Sequence, residues 1–134
     1  MVAANILIVD DDSLTARVVG LILEEHGYEV AHVSDGDEAV RRFTEFDLVI
    51  MDCGLPTLDG FEATARIRAT EAGRTIPIIA LTSGRIESER RCLDAGMNAF
   101  LMKPVQPNRL IHQVERWLDY PPTGHSHRLR RAVP

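Results

Sequence analysis

The chain has 134 residues, 45% of them hydrophobic, and a formal net charge of −5 at pH 7. This size and apolar fraction fit one domain with a buried core, and no apolar run approaches the roughly 18 residues that a membrane span requires. The negative charge argues against nucleic-acid binding, and the N-terminus lacks the basic flank of a secretion signal, so we expect a cytoplasmic domain that contacts neither nucleic acid nor a membrane.

Four short apolar runs, each followed by turn formers, predict strands over 6–9, 47–51, 76–81 and 99–102, of which those over 6–9 and 47–51 are expected to be buried. An alternating pattern predicts a further strand over 28–33. Helical spacing of apolar residues predicts a first helix that Ser13 caps and Gly27 ends. Four further helices are predicted over 37–45, 60–72, 86–95 and 107–118. Regular alternation of strand and helix indicates an α/β fold: a doubly wound, five-stranded parallel sheet of order 2-1-3-4-5, which is flavodoxin-like.

Each helix has a set of apolar positions that we predict to face the core. The stripe of the fourth helix is thin, which predicts a helix that shifts easily. The inward positions are Leu14, Val18, Val19, Leu21 and Ile22 in the first helix, Ala39, Val40 and Phe43 in the second, Phe61, Ala65 and Ile67 in the third, Ile86, Cys92 and Leu93 in the fourth, and Leu110, Ile111, Val114, Trp117 and Leu118 in the fifth.

The pattern divides the chain into a domain over 4–118 and a tail over 119–134. The tail has no apolar period and contains Pro121, Pro122 and Gly124, so we predict a flexible tail or linker. Cys53 and Cys92 are far apart in sequence and lack metal-ligand spacing, which predicts free, buried thiols in a reducing compartment.

Polar residues stand at the end of four of the five predicted strands. Asp10 and Asp11 follow the first strand, Asp52 the third, Thr82 the fourth and Lys103 the fifth; Lys103 is the one lysine among fifteen basic residues. The carboxyl ends of parallel strands share one edge, and strands one and three are neighbours in this order. We therefore expect three carboxylates to converge there beside a hydroxyl and an ammonium group.

Carboxylates in such proximity repel one another unless a proton or a cation lies between them. Oxygen-only ligands with room for water describe a Mg²⁺ site. With Lys103 as a second cation and the Thr82 hydroxyl as a donor, the site is suited to a phosphoryl group. Asp52, on the central strand, is the natural nucleophile and would form an aspartyl phosphate.

Taken together, these motifs resemble a known family. They are Val9-Asp10-Asp11, Met51-Asp52-Cys53-Gly54-Leu55-Pro56 with Asp59-Gly60, Ala80-Leu81-Thr82-Ser83, and Lys103-Pro104. In this order the chain resembles a response-regulator receiver domain of two-component and phosphorelay signalling over about residues 4–118. The resemblance implies that Asp52 is the phosphoacceptor. Asp10 and Asp11 are then the metal-binding acidic pair, with Asp11 the direct ligand, and the backbone carbonyl of Gly54 is a further ligand.

The resemblance also implies a switch. Thr82 is the switch hydroxyl, Phe100 occupies the switch aromatic position, and the Lys103–Pro104 peptide bond is expected to be cis. Phosphorylation would then change the surface formed by the fourth helix, the fifth strand and the fifth helix, through which a homodimer could form. At positions 54 and 84 glycine puts no side chain over the phosphate, so neither residue is expected to position or block the attacking water.

The implied reaction is Mg²⁺-dependent transfer of a phosphoryl group from a partner phosphohistidine to Asp52, followed by hydrolysis, both catalysed by the domain itself. The partner would be a sensor histidine kinase or a histidine phosphotransfer domain. The segments 51–56, 60–64 and 92–98 are most similar to receivers of hybrid sensor kinases. A stand-alone receiver and a piece of a hybrid kinase both fit this sequence.

Rival functions are weaker. An aspartate-nucleophile phosphohydrolase using Asp10 would need a longer chain with a cap domain, and a calcium loop starting there has Leu14 at a ligand position. A mononucleotide site would need a glycine-rich loop, and no histidine has a catalytic partner at useful spacing. The complete set of Asp, Thr and Lys argues against a phosphorylation-independent interaction module. Asp12 and Asp59 are expected to be loop or helix-capping residues.

Overall fold

A computed structural model describes residues 3–84 and 88–119 of the chain. The strands are β1 (Asn5–Val9), β2 (Glu29–Val33), β3 (Leu48–Asp52), β4 (Ile78–Thr82) and β5 (Ala99–Met102). The helices are α1 (Ser13–Glu25), α2 (Gly36–Arg42), α3 (Gly60–Arg68), α4 (Ser88–Ala95) and α5 (Pro107–Asp119), and a 3-10 turn at Phe43–Glu45 follows α2.

All five strands pair in parallel in the order β2-β1-β3-β4-β5, which confirms the predicted fold class and strand order. Val9 stands opposite Met51 in the neighbouring strand, and Thr82 stands opposite Met102. With this register the carboxyl ends of the four strands β1, β3, β4 and β5 finish at nearly the same level. Among the helices of the described residues, none is long and apolar enough to cross a membrane.

Side chains of successive strand residues point to opposite faces of the sheet and pack into two separate cores, one on each face. Ile6 and Ile8 of β1 face the core that α1 and α5 cover, whereas Leu7 and Val9 face the core that α2, α3 and α4 cover. The central strand β3 is buried throughout. The loops after its carboxyl end are therefore fixed between two packed layers.

The buried face of α1 differs from the prediction. Leu14, Val18 and Leu21 are 70%, 45% and 52% exposed, whereas Val19 is buried, as predicted, together with Ala16, Gly20 and Leu23. Ile22 is partly buried against the core, also as predicted. The prediction was wrong for the three exposed residues because α1 carries two apolar stripes and the sheet takes the one with the smaller residues, which permits close approach. A methyl group placed on Gly20 would lie 3.6 Å from Val30 and 3.7 Å from Ile8.

Other boundaries also shift. Asp12, not Ser13, caps α1. The third helix ends at Arg68 instead of residue 72, because the hydroxyl of Thr70 donates to the Ile67 carbonyl at 2.7 Å. The N–H of Thr70 donates to the same carbonyl at 3.1 Å, so both acceptor positions of Ile67 are used within this tight turn and a continuing helix finds no acceptor there.

Some predicted inward positions are also wrong. Ala65 is exposed and Leu93 is 51% exposed, while the inward positions of α2 and α5 are at least partly buried, as predicted. Asp119, placed in the tail by the sequence, is the last residue of α5. Ile86 and residues 120–134 lie outside the described part of the chain.

Candidate functional site

The four strand ends bring the predicted polar residues to one edge of the sheet. Asp10 follows β1, Asp52 and Thr82 end β3 and β4, and Lys103 follows β5. The backbone N–H of Lys103 donates to the Thr82 carbonyl at 2.8 Å, which continues the β4–β5 pairing beyond the strand. The predicted convergence of these four strand ends at one edge of the sheet is confirmed.

Three carboxylates form a compact cluster at this edge. Asp10, Asp11 and Asp52 each offer an oxygen, and these oxygens lie within 4.8 Å of one another. Asp10 is completely buried and Asp52 is 6% exposed, while Asp11 is exposed. The cluster is therefore open to solvent at Asp11, whereas protein encloses it at Asp10 and Asp52.

Lys103 bridges the two buried carboxylates. Its Nζ lies 3.2 Å from Oδ2 of Asp10 and 3.4 Å from Oδ1 of Asp52. Burial by itself would lower the pKa of Lys103, but the charges of Asp52 and Asp10 outweigh it, so the pKa is raised. The ammonium group therefore stays charged through the physiological range and supplies a fixed positive charge to the site.

Asp52 is held in an environment that disfavours its negative charge. Burial raises the pKa of Asp52 and the nearby Asp10 charge raises it further, against a hydrogen bond from the Gly54 N–H at 3.1 Å and the charge of Lys103. A carboxylate in such a site has few water contacts and gains from any added cation. Both properties favour its use as a nucleophile toward an anionic group.

The backbone of Asp52 also contacts the start of α3. A methyl group placed on Gly60 would collide with the Asp52 carbonyl oxygen, so only glycine fits there without displacing one of the two. Asp59 caps α3 by accepting a hydrogen bond from the Glu62 N–H at 2.9 Å, as predicted for a capping residue.

Asp12 lies beside the cluster but belongs to α1. Its carboxylate accepts hydrogen bonds from the Thr15 hydroxyl at 2.8 Å and the Leu14 N–H at 3.0 Å, and these bonds lower the pKa of Asp12. Its prediction as a capping residue is confirmed. The N–H of Asp12 in turn donates to Oδ1 of Asp10 at 2.9 Å, which orients that carboxylate.

The remaining predicted residues belong to β4, to β5 and to the segment just after β5. Thr82 is 3% exposed and its Oγ1 accepts from the Gly84 N–H at 3.3 Å. Phe100 is partly buried against the core on the α3 and α4 side of the sheet. The Lys103–Pro104 peptide bond is cis, as the resemblance implied.

The donor set fits a hard divalent cation such as Mg²⁺. Oδ2 of Asp10 is buried, and the Lys103 ammonium group, 3.2 Å away, is its neighbouring cation. The other two carboxylates add only oxygen donors, which Mg²⁺ prefers. Gly54 is exposed and leaves space above Oδ1 of Asp52, 3.9 Å from where a methyl group on Gly54 would lie.

Two neighbours of the site were not found from the sequence. Sγ of Cys53 lies 3.7 Å from Sγ of Cys92, although 39 positions separate them, and both are free. Burial raises the pKa of both thiols, and Cys53 is only partly buried. The Nε2–H of His32 donates to the Asp10 carbonyl at 2.7 Å; the strand order, which pairs β2 with β1, was the available signal for this contact.

Comparison with known proteins gives consistent matches. The family model of the response regulator receiver domain matches residues 6–115. Sensor protein GacS of Pseudomonas syringae pv. syringae is 40% identical over 121 residues, which cover 86% of this chain and 13% of that protein. The chain therefore spans only a small part of the length of this relative.

Two similar structures bear on the site. The receiver domain of a sensor histidine kinase of Pseudomonas aeruginosa PAO1, with a magnesium ion coordinated in its active site cleft, is 43% identical with a TM-score of 0.80; the match covers 86% of this chain and 97% of that one. The receiver domain of a Saccharomyces cerevisiae response regulator, crystallised with its histidine phosphotransfer protein, gives 30% identity and a TM-score of 0.79. That match covers 87% of this chain and 89% of the other.

Proposed function

This chain belongs to the response regulator receiver domain family of two-component signalling, and from that premise we propose that it transfers a phosphoryl group from a partner phosphohistidine to Asp52. One observation carries the proposal: Oδ1 of Asp52 lies 3.4 Å from the Lys103 ammonium group, inside a cluster of three carboxylates. The negative charge of a carboxylate in that position is already offset by Lys103 when a phosphoryl group approaches.

In the forward reaction a carboxylate oxygen of Asp52 attacks phosphorus, and the bond from phosphorus to the imidazole nitrogen of the partner breaks. The imidazole leaves with the electron pair and becomes neutral by proton exchange with solvent. Lys103 offsets the charge on the phosphoryl oxygens and the Thr82 hydroxyl donates to one of them. Catalysis of this kind is mostly positioning and charge neutralisation.

Asp10, Asp11, Asp52 and the Gly54 carbonyl would hold Mg²⁺. When bound, the ion supplies charge neutralisation at the phosphoryl oxygens and at the crowded carboxylates. The exposed side of the cluster at Asp11 is where water and the donor reach the site. In the separate hydrolysis step water attacks phosphorus, and the bond from phosphorus to the Asp52 oxygen breaks, which restores the carboxylate and releases inorganic phosphate.

The output is a population shift between two packings. The dianionic phosphoryl group draws the Thr82 hydroxyl toward it, and Phe100 moves into the space that Thr82 leaves. Because Phe100 carries no hydroxyl, its inward state avoids the desolvation cost of a polar group. The surface of α4, β5 and α5 changes as a result. Leu93 and Met102 are 51% and 55% exposed there and offer apolar area for a homodimer or another target.

The partner would dock on α1. Leu14, Val18 and Leu21 form one exposed apolar stripe at helical spacing, and α1 begins two residues after Asp11. An adjoining groove of about 420 Å³ between α1 and β2 extends the stripe from Leu21 to Val30. A histidine phosphotransfer domain, or the equivalent helices of a sensor kinase, could cover the stripe and present its histidine to Asp52. These kinases consume ATP, so the proposal places the reaction in the cytoplasm.

Phosphoramidate tests the proposal with a phosphorus–nitrogen bond of the kind that the partner would present. The wild-type chain in Mg²⁺ should gain one phosphoryl group, and Asp52→Asn should gain none. Asp12→Asn is the matched control, because it removes a carboxylate at the same edge while asparagine still caps α1. Equal labelling of Asp52→Asn and the wild-type chain would refute the proposal.

A further inference from the structure

The two cysteines form a pair that phosphoryl transfer does not use. Cys53 immediately follows Asp52, and Cys92 lies in α4, one of the elements whose outer surface is proposed to change. Their sulfur atoms are 3.7 Å apart, which is van der Waals contact between two thiols. Since the chain has two cysteines in all, an intramolecular bond between them has no competing partner within the chain.

We propose that Cys53 and Cys92 are a redox-active pair, which a small-molecule disulfide such as oxidised glutathione converts to an intramolecular disulfide. This bond would tether α4 to the loop that follows Asp52. The bond itself follows from the thiol geometry alone. Its consequence for Asp52 rests on the proposed function.

The chemistry takes two exchanges. The sulfur of Cys53, the more exposed of the two, attacks one sulfur of the oxidised glutathione and releases the first glutathione thiol. The sulfur of Cys92 then attacks Cys53 in the mixed disulfide, releasing the second glutathione thiol. The two thiol hydrogens of the protein end on the two glutathione molecules, so the protein is oxidised by two electrons and the glutathione disulfide is reduced by two.

Closing the bond requires modest movement. A disulfide bond is about 2.0 Å long, so the sulfur atoms must approach by roughly 1.7 Å. The backbone of Cys53 is held at both polar groups: its N–H donates to the Leu81 carbonyl at 2.9 Å, and its carbonyl accepts from the Gly60 N–H at 3.4 Å. The approach is therefore made by side-chain rotation and by α4.

The position of α4 beside the pair is set by a second contact. The guanidinium of Arg91 lies over the ring of Phe61 in α3, 4.1 Å from the ring centre, and Arg91 directly precedes Cys92. This contact keeps Cys92 directed into the core, where it is 1% exposed, and next to Cys53. A disulfide would make this arrangement covalent and hold α4 in the position that it has in the unphosphorylated chain.

Thermodynamic linkage gives the consequence. If phosphorylation favours a packing in which α4 has moved, a bond that holds α4 in place must oppose phosphorylation by the same coupling free energy. We expect the steady-state level of aspartyl phosphate under acetyl phosphate and Mg²⁺ to be lower in the oxidised chain by on the order of fivefold, near the low end of such couplings. Reduction with dithiothreitol should restore it.

The test equilibrates the whole folded chain in a glutathione redox buffer, blocks remaining thiols and digests it with trypsin without reduction. The expected product is the peptide of residues 43–66 joined to the peptide of residues 92–109, with an intact mass lower by two hydrogen atoms. Cys53→Ser and Cys92→Ser should each lack this product. Glutathione adducts or disulfide-linked dimers in place of the joined peptides would overturn the proposed pair.

Acetyl phosphate labelling is then compared between the oxidised and reduced chains, with Cys53→Ser taken through the same treatment. Labelling of Cys53→Ser should be unaffected by oxidation, because its remaining thiol, at Cys92, is buried. Equal labelling of the oxidised and reduced wild-type chain would overturn the control by α4 while leaving the disulfide established. Absence of labelling in the reduced chain would instead contradict the proposed function and leave the mass result intact.

Discussion

The Nζ atom of Lys103 lies 3.4 Å from Oδ1 of Asp52, across the gap between the ends of β5 and β3. Two strands that are not adjacent in the sheet thus place a cation and a carboxylate in direct contact. From this contact we expect the ammonium group to stabilise the transition state of phosphoryl transfer more than it stabilises the unphosphorylated site. In the transition state the negative charge of the phosphoryl oxygens is added to that of the carboxylates.

Lys103→Met should therefore slow phosphorylation from acetyl phosphate by about 100-fold, the usual effect of losing one fixed charge at such a site. The rate is measured from the fraction of phosphorylated chain by intact mass against time. Arg90→Met is the control, because it removes a cation of α4 whose side chain is 85% exposed. A Lys103→Met rate within twofold of the control would contradict the assigned role.

Asp52→Asn should stabilise the metal-free chain at neutral pH, because burial raises the pKa of Asp52 and its ionised form opposes folding. A carboxyl group with a raised folded-state pKa favours folding at pH values below its ordinary pKa of 3.8, and this contribution is lost as the pH rises through the folded-state pKa. In EDTA at pH 7 the variant should melt a few degrees higher than the wild type, and the difference should vanish below about pH 4.

Mg²⁺ should raise the melting temperature of the wild-type chain and raise that of Asp52→Asn much less, because the variant lacks one carboxylate of the cluster. Both effects are measured in the same thermal scans. A variant that melts below the wild type at pH 7 in EDTA would show that the ionised carboxylate stabilises the fold, contrary to this account.

Position 54 should control the lifetime of the aspartyl phosphate. A methyl group on Gly54 would lie 3.9 Å from Oδ1 of Asp52, so a larger side chain there extends over the phosphoryl group. Gly54→Leu should slow hydrolysis by excluding the attacking water. Gly54→Glu should alter the hydrolysis rate, because its carboxylate positions or repels that water. Loss of the phosphorylated mass after removal of the donor measures both. Hydrolysis rates equal to that of the wild type in both variants would refute this role.

The equivalent experiment at Gly84 would not be informative. Gly84 has a φ of +92°, and a methyl group there would lie 2.9 Å from Cε of Met102. A side chain at this position strains the backbone and must also move the end of the exposed Met102 side chain, so an altered rate would have a structural cause.

The exposed stripe of α1 should matter for the partner and not for small donors. Leu14→Ala with Leu21→Ala should leave labelling by acetyl phosphate unchanged and should slow transfer from a phosphorylated histidine phosphotransfer domain by roughly tenfold or more, as expected for truncated interface anchors. Leu93→Ala on α4 is the matched control, since that leucine is as exposed as Leu21. Equal transfer to the α1 variant and the control would place the docking surface elsewhere.

The sequence specified the sheet and its polar edge well because their signals are local. Each strand is an apolar run that stops at a charged or hydroxyl residue, and the class of fold dictates that Asp10 and Asp52 meet at the same edge. The prediction of the α1 face failed because the stripe of Leu14, Val18 and Leu21 is more apolar than the stripe that packs. The second stripe is selected by its packing against the sheet, because Gly20 lets the helix approach β1 and β2 closely.

The contact between Cys53 and Cys92 could not be read from the sequence for a different reason. It depends on the rotation of α4 against α3, which the thin apolar pattern of α4 leaves undetermined. In the structure the guanidinium of Arg91, a position with no apolar signal, fixes that rotation by lying over the ring of Phe61. Pair contacts of this kind have no periodic signature.

The most direct test of the central claim is the position of the acyl phosphate. The chain is treated with acetyl phosphate and Mg²⁺, reduced with borohydride to convert the aspartyl phosphate to homoserine, and digested with trypsin. The modification is predicted at Asp52 in the peptide of residues 43–66, and it should be absent in Asp52→Asn. Modification in the peptide of residues 1–17, which holds Asp10 and Asp11, would contradict the account.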